Sequence, residues 1–214
     1  MNSPSNSDGL RRIRRLLWAA VAGSALAFGG AVLWRAFTPP DLPAPRVTGE
    51  AAIVNAYTLT DHTGQTVTAD SFDGQWQLVF FGFTHCPDIC PTTLAYLAQS
   101  MDALGPDAAQ VTPIFITVDP ARDTPDVMTA YVEAFHPRLV GLTGTEAQVD
   151  EAVANFRAYA ERLEDETDAD GYMVSHSGII YLMRPNGAFE AAFREYDQTV
   201  HQFAATLSWL IEKG

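Results

Sequence analysis

The two cysteines of this chain lie in a single stretch, Phe81-Gly82-Phe83-Thr84-His85-Cys86-Pro87-Asp88-Ile89-Cys90-Pro91. The residues from Trp76 to Phe83 form an apolar, aromatic run typical of a buried strand. From Thr92 to Leu104 the apolar residues recur at helical spacing. The stretch therefore predicts a strand-to-helix turn, with Cys86 in the loop and Cys90 at the entrance of the helix.

The position of the cysteine pair predicts its chemistry. Pro91 suits the first position of a helix, and the unpaired N–H groups of a first helical turn favour negative charge nearby. A thiolate is therefore stabilised there, and the thiolate is the form that binds metals and attacks disulfides. We expect both sulfurs to be reactive at neutral pH if they are reduced and partly exposed. A structural disulfide is the alternative, although a bridge that closes so short a loop stabilises a fold little.

The N-terminal part predicts a membrane anchor. Four arginines among residues 11–15 precede Leu16 to Trp34, which contains no charged residue. As a helix these residues reach about 28 Å, close to the ~30 Å hydrocarbon core of a bilayer. The arginines predict that the N-terminus stays in the cytoplasm and that the rest is exported. A cleaved signal peptide is the alternative, with Ala25-Leu26-Ala27 as a small-x-small cleavage site.

We divide the chain into a basic N-terminus (residues 1–15), a transmembrane anchor (16–36), a proline-rich linker (37–49) and an exported domain (50–214). From Phe37 onward there are 8 basic and 25 acidic residues, a formal charge of −17. Such a surface argues against nucleic acid as a partner and favours a basic protein. A short basic N-terminus favours the bacterial inner membrane, with the C-terminal domain in the periplasm.

The rest of the pattern predicts an α/β domain that is thioredoxin-like. The strand–helix–strand unit around the cysteines should have parallel strands. The acidic run from Glu164 to Gly171 is interpreted as a solvated loop, since it lacks the spacing of a calcium-binding EF-hand. Further strands are predicted at Glu50–Leu59, Gln65–Thr68, Val111–Val118, Arg138–Leu142, Ile179–Met183 and Phe189–Phe193, and further helices at Thr124–Phe135, Thr145–Leu163 and Thr199–Glu212.

Two neighbouring sulfurs can form a disulfide or hold one soft metal ion, and a third ligand would decide between them. His176 precedes a predicted core strand, where a loop can reach back over the cysteine helix. His85 adjoins Cys86, but adjacent side chains of an extended segment point to opposite faces. A structural zinc site normally has four protein ligands, and no fourth is evident. The remaining histidines are interpreted as surface or packing residues: His62, His136 and His201.

Several motifs in order resemble the Sco/SenC family: residues 80–91, 115–120 with 122–125, and 176–177 with 181–182 and 185–187. The resemblance covers most of Val54 to Gly214. It implies a membrane-tethered, thioredoxin-like metallochaperone that binds Cu(I) or Cu(II) and helps to build the dinuclear copper centre of cytochrome c oxidase subunit II. The family's ligands correspond to Cys86, Cys90 and His176. One departure is Ser175, where the family usually has aspartate.

The resemblance leaves the physiological step open. A periplasmic copper donor and a thioredoxin-like reductant are further expected partners. The alternative function is a thiol–disulfide oxidoreductase that keeps the copper-binding cysteines of the oxidase subunit reduced, with Cys86 attacking and Cys90 resolving. A peroxidase is a third interpretation, but it would leave Cys90 and His176 without a role.

Overall fold

The computed structural model describes residues 14–21, 23–24, 28–30, 53–165, 168, 170–194 and 197–213. The chain divides into two units, residues 1–43 and 44–214, and all three candidate ligands lie in the second. Described strands and α-helices of the second unit, in chain order, are β1 (Thr58–Asp61), β2 (Thr66–Thr68), β3 (Trp76–Gly82), α1 (Ile89–Leu104), β4 (Val111–Thr117), α2 (Pro125–Glu133), β5 (Val140–Thr143), α3 (Glu146–Asn155), β6 (Ala160–Glu164), β7 (Tyr172–His176), β8 (Ile180–Met183), β9 (Phe189–Phe193) and α4 (Val200–Lys213).

A seven-stranded mixed sheet forms the centre of this unit, in the order β2-β1-β5-β4-β3-β8-β9. Strands β3, β4 and β5 run parallel, as predicted for the unit that contains the cysteines. The other neighbours in the sheet are antiparallel. The succession β3–α1–β4, followed later by β8–β9–α4, is the predicted thioredoxin-like arrangement. Strands β6 and β7 form a separate two-stranded sheet, called here the His176 hairpin.

Strand β3 contributes to the cores on both faces of the large sheet. All seven of its residues are buried, which explains its continuous apolar run. Successive side chains point to opposite faces, so Phe80 packs with Leu94 of α1 in one core. Phe81 packs in the other core with Phe156, just beyond α3, at 5.3 Å between ring centroids. The cysteine turn is thus attached to a strand that is buried along its whole length.

The helix predicted from Thr145 to Leu163 is wrong in its second half. Thr145 does cap α3, but the helix ends at Asn155. Arg157 then takes a left-handed backbone conformation with φ +53°, which breaks the helical path. Residues 160–164 pair with β7 instead of continuing the helix. The segment that carries His176 was predicted as a loop. It is a strand, because residues 172–176 pair with residues 160–164.

Several other boundaries differ from the predicted ones while the elements themselves are confirmed. The early hairpin exists, but β1 begins at Thr58 rather than at Glu50, and residues 50–52 lie outside the described residues. Helix α2 has Thr124 as its cap and ends two residues short of Phe135. Helix α1 begins at Ile89, so Pro91 occupies its third position rather than its first.

The predicted anchor is described only in part. Residues 16–21, 23–24 and 28–30 are helical. Within the described residues, no helix has both the length and the apolar character needed to cross a bilayer. Residues 1–13 and the linker, 37–49, lie outside the described residues. The anchor therefore stays a prediction.

Candidate metal centre

A buried carboxylate holds the start of the cysteine loop. Asp123 is fully buried, and it accepts hydrogen bonds from the Thr84 N–H at 3.0 Å and from the Thr84 hydroxyl at 2.5 Å. The hydroxyl of Thr117, the last residue of β4, donates to the same carboxylate at 2.6 Å. Burial is the largest influence on Asp123 and raises its pKa. Asp123 therefore ties the loop after β3 to the end of the neighbouring strand.

Gly82 makes room for the second sulfur. A Cβ atom at this position would lie 2.5 Å from Cys90 Sγ and 2.8 Å from the Phe115 ring. Both distances are well below van der Waals contact, so a larger residue here would displace either the sulfur or a core aromatic ring. Glycine is needed for close approach and not for an unusual backbone conformation.

The two cysteines are unequally buried. The N–H of Cys86 donates to the Phe83 carbonyl at 3.2 Å, which closes a turn ahead of α1. Cys86 is 9% exposed and lies in the loop, whereas Cys90 is 0% exposed and lies in the first turn of α1. Both are free thiols. A molecule approaching from solvent therefore meets Cys86 first.

His176, the last residue of β7, brings an imidazole to the cysteines from 86 positions further along the chain. Its Nε2 lies 3.2 Å from Cys90 Sγ. Its Nδ1 lies 3.3 Å from the Ser177 carbonyl, an arrangement that is satisfied when Nδ1 carries the proton and donates it. The edges of Phe80 and Phe83 surround the ring, at centroid distances of 6.0 and 5.7 Å.

The pair shares its protons unequally. The pKa of Cys86 is lowered to about 3, and the largest cause is a hydrogen bond that the Cys90 thiol donates to the Cys86 sulfur. Hydrogen bonds from His176 and from two backbone N–H groups of the turn lower the pKa of Cys86 further. Burial, and then the negative charge of Cys86, raise the pKa of Cys90 far above its ordinary range. The expected reactivity of both thiols depended on partial exposure, and Cys90, which is 0% exposed in the apolar core, does not meet that condition.

The other histidines stay apart from this site. His85 is exposed, and its Nδ1 lies 3.1 Å from the Thr84 hydroxyl. His62 accepts from the Gly141 N–H, and His136 accepts from the Arg138 N–H. His201 is exposed on α4. Within the described residues, the one group of three or more metal-ligating side chains is Cys86, Cys90 and His176.

Sequence reasoning missed a polar cluster beside the site. Arg122 follows β4 and pairs with the buried Asp119, as well as with Asp168 and Asp170 at 3.3 and 3.4 Å. The acidic run was interpreted as a solvated loop, but two of its carboxylates contact this arginine. A signal was present, since an acidic and a basic residue three positions apart directly after a buried strand indicate a paired charge.

The three side chains suit a soft transition metal. Their ligand atoms all lie within 4.8 Å of one another. Donors that share one ion at bond lengths of about 2.0–2.3 Å are themselves separated by roughly 3–4 Å. Thiolates favour Cu(I), and an imidazole nitrogen also suits Cu(II). The donor set therefore fits copper after a small inward movement. Zinc fits less well, because the described residues add no fourth ligand to the group.

Comparisons with known proteins agree with this chemistry. A family model described as SCO1/SenC matches residues 45–212. The chain is 50% identical over 133 residues to the mitochondrial SCO2 homologue of Danio rerio, a match that covers 61% of this chain and 47% of that protein. It is 38% identical over 137 residues to an SCO2-like protein of Rickettsia prowazekii, covering 64% and 67%. The chain spans about half the length of the mitochondrial relatives it matches.

Solved structures extend the similarity to the fold. ScoI of Bradyrhizobium japonicum, solved with copper bound, superposes with a TM-score of 0.69 at 41% identity and covers 74% of this chain and 99% of that one. ScoI of Arabidopsis thaliana, also solved with copper bound, gives a TM-score of 0.71 at 35% identity, with coverages of 76% and 100%.

Proposed function

Because the chain belongs to the SCO1/SenC family, we propose that Cys86, Cys90 and His176 bind a copper ion, which the protein delivers to the dinuclear copper centre of cytochrome c oxidase subunit II. The observation that carries this proposal is the convergence of two sulfurs and an imidazole to within 4.8 Å from segments far apart in the sequence. Copper in the related ScoI structures supports the choice of metal.

The unequal burial of the ligands supports delivery rather than storage. Copper binding requires Cys90 to lose its proton, whereas Cys86 is already a thiolate. His176 comes from a hairpin outside the large sheet, so its ring can withdraw without disturbing the cysteine turn. An incoming thiolate of the target replaces the imidazole first, and Cys86 can be replaced next. Cys90 is the most deeply buried donor and leaves last.

Copper titrations test the ligand set. We expect one copper ion per chain, bound more than about 100-fold more weakly in His176→Ala, since loss of a residue that merely orients a ligand already costs about 10–100-fold, and lost when both cysteines are replaced by serine. His85→Ala is the matched control, because this exposed histidine adjoins Cys86 but stands outside the group. Equal copper affinity in wild type and His176→Ala would remove the proposed third ligand.

Transfer is tested separately from binding. Copper-loaded protein is mixed with the metal-free copper domain of the oxidase subunit, and the absorption of the dinuclear centre is followed. Transfer without free copper, unaffected by a Cu(I) chelator too weak to strip the loaded protein, supports delivery. Copper that reaches the subunit only as free ion contradicts it.

A second function, thiol–disulfide exchange, is favoured by the low pKa of Cys86 and the burial of Cys90. The Cys86 thiolate attacks a disulfide of the target and releases one thiolate. Cys90 then loses its proton and attacks the mixed disulfide, which frees the second target thiol and leaves a Cys86–Cys90 disulfide. Two electrons pass to the target, and a thioredoxin-like reductant restores the pair. Turnover that persists without copper and in His176→Ala would favour this function over delivery.

We further propose that residues 16–36 anchor the protein in a bacterial inner membrane, with residues 50–214 in the periplasm. The uncharged stretch from Leu16 to Trp34 and the arginines before it support this orientation. Protease added to intact spheroplasts should digest the C-terminal domain while a tag at the N-terminus stays protected. Release of the mature domain without its N-terminal residues would instead support a cleaved signal peptide.

A further inference from the structure

The His176 hairpin is not part of the large sheet, yet its imidazole meets the cysteines closely. Among the described strands, β6 and β7 pair only with each other. An isolated two-stranded hairpin is only marginally stable in water. Contacts other than sheet pairing must therefore fix the hairpin over the cysteine helix.

Arg122 supplies three polar contacts of that kind. Its side chain is only 9% exposed, and its Nε donates to the fully buried carboxylate of Asp119. Its Nη1 lies 3.4 Å from the Tyr172 carbonyl, at the start of β7. The same nitrogen contacts Asp168 and Asp170 in the turn between β6 and β7. One guanidinium thus joins the loop after β4 to the turn and to the first residue of β7.

The ring of Tyr172 completes this attachment. It lies between two guanidinium groups, with Arg122 Cζ at 4.0 Å and Arg162 Cζ at 4.1 Å from its centroid. Its hydroxyl donates to Asp119 at 3.0 Å. Arg162 is 53% exposed and only 3.8 Å from Asp119, so it covers the outer side of the ring. Cation–π contacts are stronger where the cation is desolvated, which favours the buried arginine.

The geometry of β7 connects this attachment to the metal centre. Side chains two residues apart in a strand point to the same face, so Tyr172, Val174 and His176 share one. Val174 is buried, which places that face toward the core. Arg122 also lies 5.7 Å from the ring of Phe83, which itself touches His176. Holding Tyr172 in place therefore holds the His176 imidazole, four residues further along the same strand, at its distance from the cysteines.

We propose that Arg122 is a positioning residue that holds the His176 hairpin, and with it the imidazole, over Cys86 and Cys90. It does not touch the ion. Its effect on copper rests on the proposed function, but its effect on the hairpin does not. Arg162, on the opposite face of the same ring, covers the cluster without determining the position of the hairpin.

The test compares Arg122→Gln with the matched Arg162→Gln in the full-length chain in detergent micelles. Amide hydrogen exchange is first measured on reduced, metal-free protein. Hydrogen bonds to charged groups are worth about 1.5–3 kcal/mol, so we expect exchange in residues 160–176 to be roughly 10–100-fold faster in Arg122→Gln. Exchange in β3 and α1 should stay as in wild type, and Arg162→Gln should resemble wild type throughout.

The second readout is the spectrum of bound Cu(II). In Arg122→Gln we expect weaker nitrogen hyperfine coupling in electron paramagnetic resonance and copper binding about 10–100-fold weaker, while the sulfur-to-copper absorption band persists. Arg122→Lys keeps the charge without the planar fork and should restore these properties only in part. Normal exchange in residues 160–176 of folded Arg122→Gln would overturn the proposal. Equal effects of the two glutamine variants would do so as well.

Two further outcomes are also decisive. If wild type bound no copper, the proposed function would fail, whereas the exchange comparison would still decide the role of Arg122. If Arg122→Gln did not fold, Arg122→Lys would take its place, since it keeps a positive charge beside Asp119 but loses the planar fork that reaches the hairpin. Faster exchange confined to the hairpin in that variant supports the proposal, and unchanged exchange overturns it.

Discussion

The two halves of the candidate site are held by regions that are built differently. The cysteines follow β3, which pairs with β4 on one side and β8 on the other in the middle of the large sheet. His176 ends a two-stranded hairpin that lies outside this sheet. The sulfurs are positioned by the apolar core of the domain, whereas the imidazole is positioned by a few polar and aromatic contacts.

This difference gives the two halves different responses to perturbation. A change at the sulfurs must disturb the core and should cost stability. A change at a partly exposed carboxylate of the hairpin, such as Asp168, should loosen the hairpin and leave the free energy of unfolding nearly unchanged, since partly exposed ion pairs contribute little to it.

Gly82→Val should be the most damaging single change. Its Cβ would meet Cys90 Sγ at 2.5 Å and a Phe115 ring carbon at 2.8 Å, and neither can move without repacking the core. We expect a loss of about 3 kcal/mol in the free energy of unfolding, measured by urea denaturation. Gly178→Val is the control: its Cβ would meet only the flexible tip of Ile89, and we expect a loss of about 1 kcal/mol. Equal losses would contradict the contrast.

Asp123→Ala should have the next largest effect. It removes the acceptor of three hydrogen bonds from Thr84 and Thr117. Leaving such buried donors unpaired should lower the free energy of unfolding by about 2–3 kcal/mol. Asp168→Ala removes a partly exposed partner of Arg122 on the hairpin side and should cost less than about 1 kcal/mol. Denaturation curves of the two variants, measured side by side, show whether the loss of Asp123 lowers the free energy of unfolding more than the loss of Asp168.

The reactivity of Cys86 should be nearly independent of pH. Because its pKa is lowered to about 3, the thiolate is already formed throughout neutral and mildly acidic solution. Alkylation by iodoacetamide, followed by mass spectrometry, should change less than about twofold between roughly pH 5 and pH 8, where an ordinary thiol changes about tenfold per pH unit. Cys90→Ala removes the largest cause of the lowered pKa and should restore a steep profile. A steep profile in wild type would mean that Cys90 does not donate to Cys86.

Ser175→Asp should have the smallest effect on stability. This substitution introduces the aspartate usual in the family, but residue 175 lies directly opposite Glu161 in the hairpin. Like charges in such a pair are destabilising, so we expect the free energy of hairpin opening to fall by about 0.2–1 kcal/mol, measured by hydrogen exchange. The double variant Ser175→Asp/Glu161→Gln should recover it. If the double variant did not recover stability, repulsion by Glu161 would not explain the effect of an aspartate at position 175.

Much of the scaffold could be predicted from the sequence, because its signals are local. The run of Trp76 to Phe83 and the helical spacing after it specify β3, α1 and the position of the cysteines between them. The caps Thr124 and Thr145 likewise mark the starts of α2 and α3. These features depend on residues close together in the sequence and on burial, and both are visible in the order of apolar and polar residues.

The hairpin could not be predicted in this way, because its structure depends on partners distant in the sequence. Residues 160–164 carry charges that suit an exposed helix as well as an edge strand, and only pairing with β7 decides between them. The unequal pKa values of the two cysteines could not be predicted for a similar reason. The difference between their pKa values arises from the burial of Cys90 beside Gly82 and from the hydrogen bond that the Cys90 thiol donates to Cys86, neither of which is recorded in the local spacing.

The outer edge of β6 has a consequence for self-association. This strand has β7 along one side, and no other described strand pairs with it, so its opposite edge offers backbone groups to a second chain. Glu161, Arg162 and Glu164 are exposed along it, and the chain from Phe37 onward carries a formal charge of −17. Strand addition between two copies would bring the net negative charge of two domains together, although Leu163 is also exposed on this strand. The charge along this edge and over the domain therefore opposes self-association through β6.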